Sequence, residues 1–454
     1  IGHYKAILQN DDLVDLQVAM LNIGLRTGQA LDRWKKTISV MLEKDKGKPK
    51  LHRLRIIQLF EADLNFLLSL VFGHRLMTFA RRHCNINESQ YGSMNGKQAQ
   101  SAVLNKILTY DIFRVTKQDA ATKEFDAAAN YDRIVPALAM IACQRLGLAK
   151  KTAELMYNSL INLKHQVKTI YGLSAEYGPT ADNPLFGSGQ GSGGSPTFWA
   201  VLADILFNCM DSKGAELVLT NPSGTIVSAR NEDGYVDDTA LGVDGRDGNV
   251  VGRMTTAAQR HERTLYATGG KLALHKCTWV LVNWLWCNGN ATMETFPEPQ
   301  DLTSMVDTPT KLTLKQSENG ESVDIQRLQP DQGYRTLGIW IAAYRNPKKQ
   351  LKILQATVSH WLECVTNSSL RDFDRQLAYQ SFLRPQLLYP LGYATIDHND
   401  LKKMFWPVLD ELLHTLGLNK NFPLALVHAG TNWMGLGIED LPTMQGISQL
   451  QLLL

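Results

Sequence analysis

The chain has 454 residues, of which 44% are hydrophobic and 20% are charged, and its formal net charge is +3. This composition belongs to an ordinary globular protein and excludes a disordered or fibrous chain. No uncharged apolar run reaches about 18 residues, so no membrane segment is predicted, and no signal peptide is visible. Because the chain lacks a starting Met and stops inside an apolar run, we expect it to be a piece of a longer protein.

The cysteines give no sign of a metal site. The six residues stand at positions 84, 143, 209, 277, 287 and 364, without any C-x-x-C pair or neighbouring histidine ligands. We therefore expect mostly buried thiols in a reducing compartment, rather than a zinc site or a disulfide frame.

The first 120 residues are predicted to be mainly helical. Residues 59–83, for example, carry apolar side chains at three- and four-residue spacing. Residues 33–55 hold nine Lys or Arg against two acids. Such a block is usually solvent-exposed surface, but next to an active site it becomes a candidate for binding phosphate.

The next segment alternates short strands, turns and helices. A strand through EFD is followed by a helix that begins near Asp132. We expect Asp132 to be the N-cap of that helix. Residues 163–179 are predicted to form a strand, a turn and a second strand. A glycine-rich loop, FGSGQGSGGSP, then opens an apolar helix, with Ser195 as the N-cap and Pro196 in the first turn.

Three strands follow, within ELVLT, TIVSA and GYVDDTALGV, and then a helix that ends at Gly269–Gly270. Strands resume at CTWVLVNWLW and YRTLGIWI. From Asn346–Pro347 the chain is predicted to be helical almost to its end, with Leu354, Val358 and Trp361 on one buried face. The fold class is therefore α+β, with helical regions on both sides of a central sheet.

Two adjacent aspartates, Asp237 and Asp238, interrupt the third of these strand segments. Adjacent carboxylates raise each other's pKa unless a cation neutralises them. Asp126 ends the EFD strand, and if that strand lies beside GYV in an antiparallel sheet, two or three carboxylates share a small volume. Mg²⁺ is then the natural counter-ion, with Mn²⁺ as a substitute. Two such ions about 4 Å apart would activate a 3′-hydroxyl and stabilise a departing pyrophosphate.

Simpler explanations exist for these features taken singly. An Asp–Asp pair in a hairpin is more often a solvated turn than a catalytic pair. The glycine loop satisfies G-x-G-x-x-G at Gly189, Gly191 and Gly194, but Pro184 stands where the preceding strand of a dinucleotide site should be. The metal hypothesis depends on the ordered set of segments around the acids.

In that order, the segments resemble the reverse transcriptase domain of a non-LTR (LINE-like) retroelement, in the right-hand polymerase family. The resemblance covers nearly all of the chain. The matching segments are EKDKGKPKLHRLRIIQL and ESQYGSMNGKQAQSAVL in the fingers, FDAAANYD as motif A, GSGQGSGGSP as motif B, YVDD as motif C, GGKLALHKC as motif D, YRTLGIWI as the primer-grip hairpin, and NWMGLGIEDL beyond the thumb.

The resemblance implies a right-hand fold with an antiparallel-sheet palm and mainly helical fingers and thumb. The N-terminal helical region and fingers would span 1–120, the palm 121–345, and the thumb with the start of a downstream region 346–454. The palm would include a fingers insertion at about 135–180 and a primer-grip-like hairpin at 334–341.

The resemblance also assigns roles at the catalytic centre. Asp126, Asp237 and Asp238 would be catalytic residues that bind two Mg²⁺ ions. Tyr131 would be the aromatic gate that clashes with a 2′-hydroxyl and so selects deoxynucleotides. Lys276 would protonate the leaving pyrophosphate, a general-acid role.

Further residues are implied to contact the substrates. Gln190 and Gly191 in the glycine loop would let the backbone approach the forming base pair, where a Cβ would collide. Lys44 and Arg55 are candidates for the triphosphate, and Arg53 serves equally because spacing does not separate the two arginines. Basic residues at the start of the first thumb helix would meet duplex phosphates: Arg345, Lys348, Lys349 and Lys352.

The sequence departs from the family pattern in places. Glu124 and Phe125 precede Asp126 where the family more often has an apolar pair, and Ala127 to Ala129 replace its usual basic residues. None of these departures removes a metal ligand, so an intact catalytic core is expected.

The first hypothesis is an RNA-directed DNA polymerase that uses an RNA template, a DNA or RNA primer and deoxynucleoside triphosphates. The second is an RNA-directed RNA polymerase, against which Tyr131 and the first residue of YVDD argue. The third is an inactive or domesticated relative that binds nucleic acid without polymerising. An intracellular location is expected, nuclear for a eukaryotic element, and neither a membrane nor a protein partner is implied.

Overall fold

The computed structural model describes residues 2–44, 47, 50, 54–83, 86–94, 96–180, 187–295 and 311–452. Its α-helices are α1 Gly2–Ile7, α2 Asp11–Thr27, α3 Ala62–Leu68, α4 Met77–Arg82, α5 Ala99–Thr116, α6 Pro136–Arg145, α7 Lys150–Ile161, α8 Ser195–Asp211, α9 Val250–Ala267, α10 Lys348–Thr366, α11 Asp372–Ala378, α12 Arg384–Leu391, α13 His398–Thr415, α14 Leu424–His428 and α15 Leu441–Gln451. Its strands are β1 Lys36–Glu43, β2 Leu54–Phe60, β3 Ala120–Asp126, β4 Lys164–Thr169, β5 Gly172–Leu173, β6 Leu217–Thr220, β7 Ile226–Arg230, β8 Glu232–Tyr235, β9 Asp238–Asp244, β10 Thr278–Val282, β11 Trp284–Cys287, β12 Asn290–Met293, β13 Leu312–Lys315, β14 Ser322–Leu328, β15 Tyr334–Thr336 and β16 Ile339–Ile341.

The largest sheet of the described residues has the strand order β13-β14-β10-β3-β9-β8. β3 lies inside it, antiparallel to both β9 and β10. An all-antiparallel sheet was expected, but β10 and β14 pair in parallel. β10 and β14 are not consecutive strands, because β11, β12 and β13 intervene between them in the chain. Helix α9 packs against β3 and β9 and buries one face of the sheet.

The N-terminal region is less helical than predicted, because it contains a second sheet. Among the described residues its strand order is β2-β1-β4-β5, so the basic block 33–55 contributes most of a hairpin. β1 alternates buried and more exposed residues, with Thr37 and Ser39 facing inward, as a half-covered strand requires. Because the buried positions carry the polar residues Thr37 and Ser39, no apolar alternation marks this strand in the sequence.

Two predicted helix starts are wrong by a few residues. α6 begins at Pro136, so Asp132 does not cap it and instead lies in a short 3-10 turn. α8 begins at Ser195 itself, whose hydroxyl donates to the carbonyls of Ser188 and Gly189, each at 2.9 Å. In both helices a proline occupies the first turn, where its missing N–H costs nothing.

The helix predicted after Asn346–Pro347 is confirmed as α10. Its predicted apolar face is buried at Leu354, Val358 and Trp361, against residues of α12 and α13. This helical region has its own hydrophobic core, separate from the core around the large sheet.

The expectation of mostly buried cysteines is wrong for the described residues. Cys143 and Cys277 are buried, whereas Cys209, Cys287 and Cys364 are exposed, on helix surfaces and on the outer hairpin β11–β12. Cys84 lies outside the described residues. Across the described ranges, we find no helix with both the length and the apolar character needed to cross a membrane.

Candidate active site

The structure brings the separated aspartates together on adjacent strands. β3 and β9 pair antiparallel from Ala120–Asp244 to Asp126–Asp238, so that Asp126 lies directly opposite Asp238. The neighbour of β3 is therefore the strand that follows the Asp–Asp pair, whereas the GYV segment, as β8, lies one strand further out. Asp126 and Asp238, which are 112 positions apart in the chain, thus meet at one end of the sheet.

The YVDD segment forms a tight hairpin with Val236 and Asp237 at its turn. Val236 has a φ of +57°, a left-handed conformation that is rare for a β-branched residue and costs about 1–3 kcal/mol. The turn is held in place because Trp199 donates its indole N–H to the carbonyl of Val236. On the other side, Gly92 lies so close that a Cβ there would be 2.5 Å from the backbone nitrogen of Val236.

The carboxylates of this hairpin are electrostatically coupled to each other. Crowding by surrounding protein atoms raises the pKa of Asp237 although its side chain remains open to solvent, and the negative charge of Asp126 raises it further. Burial raises the pKa of Asp238 to about 6, with additional contributions from Asp237, Glu124 and Asp126. Like charges gathered in this way favour a bound cation.

Lys276 supplies one such positive charge. It lies in the short segment between α9 and β10, and its ammonium is 3.1 Å from Oδ1 and 3.4 Å from Oδ2 of Asp126. Both side chains are partly exposed, so the pair contributes little to stability. The pair matters because it places the Lys276 ammonium beside Asp126, the carboxylate that is expected to bind metal.

The carboxylates suit a divalent cation in chemistry but do not form a closed cage. Within the described ranges, no three His, Cys, Asp or Glu side chains lie close enough together to hold one metal ion. Asp126, Asp237 and Asp238 are nevertheless neighbours whose mutual repulsion a Mg²⁺ ion would relieve, and carboxylate oxygens are its preferred ligands. The carboxylates therefore supply the oxygen ligands that Mg²⁺ prefers, and metal binding at this position stays a prediction.

Tyr131, the predicted sugar gate, lies beside the Asp–Asp hairpin. Its side chain is half-buried, and burial followed by the charge of Asp237 raises its pKa. Its backbone carbonyl accepts a hydrogen bond from the Ser188 N–H at 2.8 Å, which ties it to the glycine loop. The backbone of Tyr131 is thus tied to the glycine loop, while its side chain lies within electrostatic reach of Asp237.

The glycine loop packs against β2 of the second sheet. The Gln58 N–H donates to the carbonyl of Gln190 at 2.6 Å. A Cβ on Gly191 would lie 2.3 Å from the carbonyl oxygen of Gln58, and one on Gly189 would lie 2.0 Å from its side-chain oxygen. The close approach that requires glycine here is therefore made to the chain's own β2, and contact of Gln190 or Gly191 with a base pair stays a prediction.

The candidate triphosphate ligands differ in position. Arg55 is exposed on β2, and its positive charge opposes the rise in the pKa of Asp237, so it lies within electrostatic reach of that carboxylate. Lys44 is exposed just beyond the end of β1. Arg53 lies outside the described residues. Arg55 therefore stays a candidate for the triphosphate, and the choice between it and Arg53 stays open.

The basic residues that open α10 are exposed, as expected of a phosphate-binding face. The ammonium of Lys349 lies 4.9 Å from the ring centroid of Trp340, a cation–π contact that orients it. Arg345 donates to the hydroxyl of Thr395 at 3.0 Å. Lys348 and Lys352 are on the same helix.

Sequence reasoning missed an ionic contact directly behind the carboxylates. Lys106 on α5 is buried, and its ammonium is 2.6 Å from a carboxylate oxygen of Glu124. Glu124 stands two residues before Asp126, where its acidic character departs from the family pattern. That departure was the available signal, since an acid inside a sheet needs a buried partner.

The chain was compared with known proteins. No family model and no curated protein matches it. Solved structures similar to it include telomerase from Candida albicans in complex with a TWJ fragment of telomeric RNA. This structure has 14% sequence identity to the chain and a TM-score of 0.39, and the comparison covers 96% of this chain and 65% of that chain. Telomerase from Candida tropicalis in complex with the same kind of RNA fragment has 11% sequence identity to this chain and a TM-score of 0.38. That comparison covers 92% of this chain and 62% of that chain.

A third similar structure is apo telomerase from Candida tropicalis truncated from its C-terminal domain, with 14% sequence identity and a TM-score of 0.37. The comparison covers 56% of this chain and 51% of that chain. This chain therefore spans between 51% and 65% of the length of these three proteins. TM-scores this low do not establish a shared fold, so the function has to be inferred from the site itself.

Proposed function

We propose that this chain is the polymerase part of a reverse transcriptase of non-LTR retroelement type, with the right-hand arrangement of fingers, palm and thumb. It would extend a primer 3′-hydroxyl along an RNA template with deoxynucleoside triphosphates. The observation that carries the proposal is the direct pairing of Asp126 with Asp238, next to Asp237 in the hairpin turn. Tyr131 and Arg55 both lie within electrostatic reach of Asp237.

Each residue has a distinct role in this reaction. The primer 3′-hydroxyl loses its proton to solvent, and its oxygen forms a bond to the α-phosphorus while the bond from that phosphorus to the pyrophosphate oxygen breaks. Arg55 binds the triphosphate oxygens, and Tyr131 lies beneath the sugar and excludes a 2′-hydroxyl. Lys276 gives its proton to the departing pyrophosphate. Two Mg²⁺ ions held by Asp126, Asp237 and Asp238, or Mn²⁺ in their place, would lower the pKa of the 3′-hydroxyl and stabilise the leaving group.

The hairpin β15–β16 would hold the end of the primer. It lies against β3 on the face that carries Asp126, because the hydroxyl of Tyr334 donates to Glu124 at 3.2 Å. A primer terminus resting on this hairpin would face the carboxylates. The position of this hairpin close to the carboxylates supports the polymerase proposal.

A primer-extension assay on an RNA template tests the proposal. We expect extension with deoxynucleotides and Mg²⁺, none with EDTA, and a loss of at least about 10³-fold in Asp237→Asn, because a metal ligand stabilises the transition state by several kcal/mol. The matched control is Asp324→Asn, an exposed aspartate of β14 that pairs with Lys311 and should keep full activity.

The other outcomes contradict the proposal in different ways. A preference for ribonucleotides would indicate an RNA-directed RNA polymerase. Tight binding of the primer–template without extension by the unmodified chain would indicate a nucleic-acid-binding relative. Equal activity of Asp237→Asn and Asp324→Asn would remove the carboxylates from the mechanism.

A further inference from the structure

Lys106 connects three elements that meet behind the carboxylates. It projects from α5, and its side chain is only 7% exposed. Its ammonium lies 2.6 Å from Oε2 of Glu124 on β3 and 2.7 Å from Oγ1 of Thr336 on β15. A single buried cation therefore joins the strand of Asp126 to the hairpin β15–β16.

The same junction contains a set of paired hydroxyl groups. Tyr334 donates to the second oxygen of Glu124 at 3.2 Å, so both oxygens of that carboxylate have partners. The hydroxyl of Tyr110 is 3.0 Å from that of Tyr334 and 2.7 Å from that of Thr122. Buried networks in which every group is paired hold one geometry, because each alternative leaves a polar group unsatisfied.

The far side of the hairpin is fixed by the helical region beyond it. The turn residues Leu337 and Gly338 have φ values of +46° and +89°. The hydroxyl of Tyr389 on α12 donates to the Leu337 carbonyl at 2.9 Å, and the side chain of Gln350 on α10 accepts from the Trp340 N–H at 2.9 Å. The hairpin is thus held between this helical region and the Lys106 junction.

The junction lies one step away from the reacting centre. Glu124 and Asp126 are two residues apart on one strand, so their side chains point to the same face and are separated by about 7 Å. Glu124 pairs across the sheet with Ala240, two positions along the strands from the Asp126–Asp238 pair. Any shift of the hairpin relative to Glu124 is therefore a shift relative to the carboxylates.

We propose that Lys106 is a positioning residue, which sets the distance between the primer-holding hairpin and the metal-binding carboxylates through Glu124 and Thr336. The proposal rests on the proposed polymerase function. Lys106 is buried and touches no substrate, so it acts through the hairpin. Since a misplacement of about 1 Å can lower a rate by 10²-fold, such a device affects the chemical step more than the affinity for nucleic acid.

Thr336→Val isolates the link to the hairpin. It removes the hydroxyl that accepts from Lys106, keeps the side-chain shape, and leaves the Lys106–Glu124 ion pair intact. With primer–template already bound, we expect the rate constant for the first nucleotide to fall about tenfold in a rapid-quench experiment, while the reaction amplitude and the duplex Kd stay within about twofold of the unmodified chain.

The double variant Lys106→Met/Glu124→Gln tests the other half of the link. Lys106→Met alone would leave the partly buried Glu124 carboxylate without its cation and with only the Tyr334 hydroxyl as a partner, which destabilises a fold by up to about 3–5 kcal/mol. Removing both charges avoids that penalty, so the protein should keep its Tm but show the same slow rate constant. Lys311→Met, which breaks an exposed ion pair, is the matched control and should behave as the unmodified chain.

The results separate positioning from a purely structural role. A lower amplitude with an unchanged rate constant, in either variant, would mean that Lys106 only maintains the folded fraction, and it overturns the inference. An unchanged rate constant and amplitude in Thr336→Val also overturns it while leaving the polymerase function intact. Absence of extension by the unmodified chain overturns both.

Discussion

The two faces of β3 differ in whether their charged side chains have hydrogen-bond partners. On the face that carries Asp126, Glu124 is paired with Lys106 and Tyr334, and Thr122 with Tyr110. On the opposite face, Lys123 is fully buried and its ammonium has no hydrogen-bond partner within the described ranges. One strand therefore presents a fully paired network on one side and an unpaired cation on the other.

The unpaired face is packed against helix α9. The ammonium of Lys123 lies 3.6 Å from the ring centroid of Phe125, whose other side stacks on His261 at 3.8 Å. His261 in turn is hydrogen-bonded to Glu232 at 2.7 Å. Burial lowers the pKa of Lys123 to about 8, with the nearby acidic groups opposing that shift.

The difference between these two faces indicates which buried lysine serves the reaction. A buried cation without hydrogen bonds costs stability, so Lys123 acts against the fold. Lys106 is equally inaccessible but has two close partners, and one of them belongs to the hairpin that faces the carboxylates. Substitutions on the Asp126 face should therefore affect the reaction, and those on the Lys123 face should affect stability.

The largest effect is expected for Asp126→Asn. The loss of one anionic ligand should lower primer extension by at least about 10³-fold at unchanged affinity for primer–template, because the substitution is isosteric and affects only the bound ions. Single-turnover extension and fluorescence anisotropy measure the two quantities. A loss of less than tenfold would contradict the assignment of the Asp126 face to catalysis.

The next effect is expected for Lys276→Met. It removes the ammonium that lies 3.1 Å from Asp126, and with it the proposed proton donor to pyrophosphate. General-acid catalysis typically contributes 10²–10⁴-fold, so we expect a loss of about 10²-fold in the rate constant for nucleotide addition. Rapid-quench kinetics with Lys271→Met as a control measure it, since Lys271 instead pairs with Glu318. Equal rates for the two variants would exclude the proton-transfer role.

On the opposite face, Lys123→Met should stabilise the protein. The folded pKa of about 8 lies below the ordinary value of 10.5, so the unfolded chain binds more protons between these pH values and stability rises with pH across that range. The penalty is complete below pH 8. The variant should therefore gain about 3 kcal/mol at pH 7 and almost nothing above pH 10.5.

Denaturant unfolding at several pH values checks this prediction for Lys123→Met. Extension activity should change little, since Lys123 faces away from the carboxylates. A variant that is less stable than the unmodified chain at pH 7 would show that the buried ammonium is stabilised by its acidic neighbours after all.

The smallest effect is expected for Tyr131→Ala, at the edge of the Asp126 face. Loss of the ring should relax discrimination against ribonucleotides by about tenfold or more, with less change in deoxynucleotide incorporation, because a steric gate acts only on the 2′-hydroxyl. Ratios of kcat/KM for matched nucleotides measure it. Tyr131→Phe keeps the ring and should retain the discrimination; if Tyr131→Ala retains it too, the ring is a core residue and not a gate.

The sequence was sufficient to predict the elements around the acidic residues. The strand that ends at Asp126, for example, lies where it was expected. The helix starts near Asp132 and Ser195 were misplaced, because both residue types are common caps and the prolines nearby were compatible with either start. Local patterns thus located the elements to within a few residues.

The contacts that distinguish the two faces of β3 could not be predicted. Lys106 and Glu124 are 18 residues apart on a helix and a strand, and their meeting depends on how α5 lies across the sheet. Thr336 reaches the same ammonium from 230 residues away. Nothing in the local pattern separates Lys106 from Lys123, because pairing is decided by tertiary packing rather than by residue type.

The most direct test of the account is Mn²⁺ binding measured by electron paramagnetic resonance, in the presence of primer–template and a non-hydrolysable deoxynucleotide. We predict two bound Mn²⁺ ions that Mg²⁺ displaces, and loss of at least one of them in both Asp126→Asn and Asp237→Asn but not in Asp324→Asn. If the unmodified chain extends primers and yet the two active-site variants bind Mn²⁺ as it does, the carboxylates of β3 and of the YVDD hairpin do not form a common metal site.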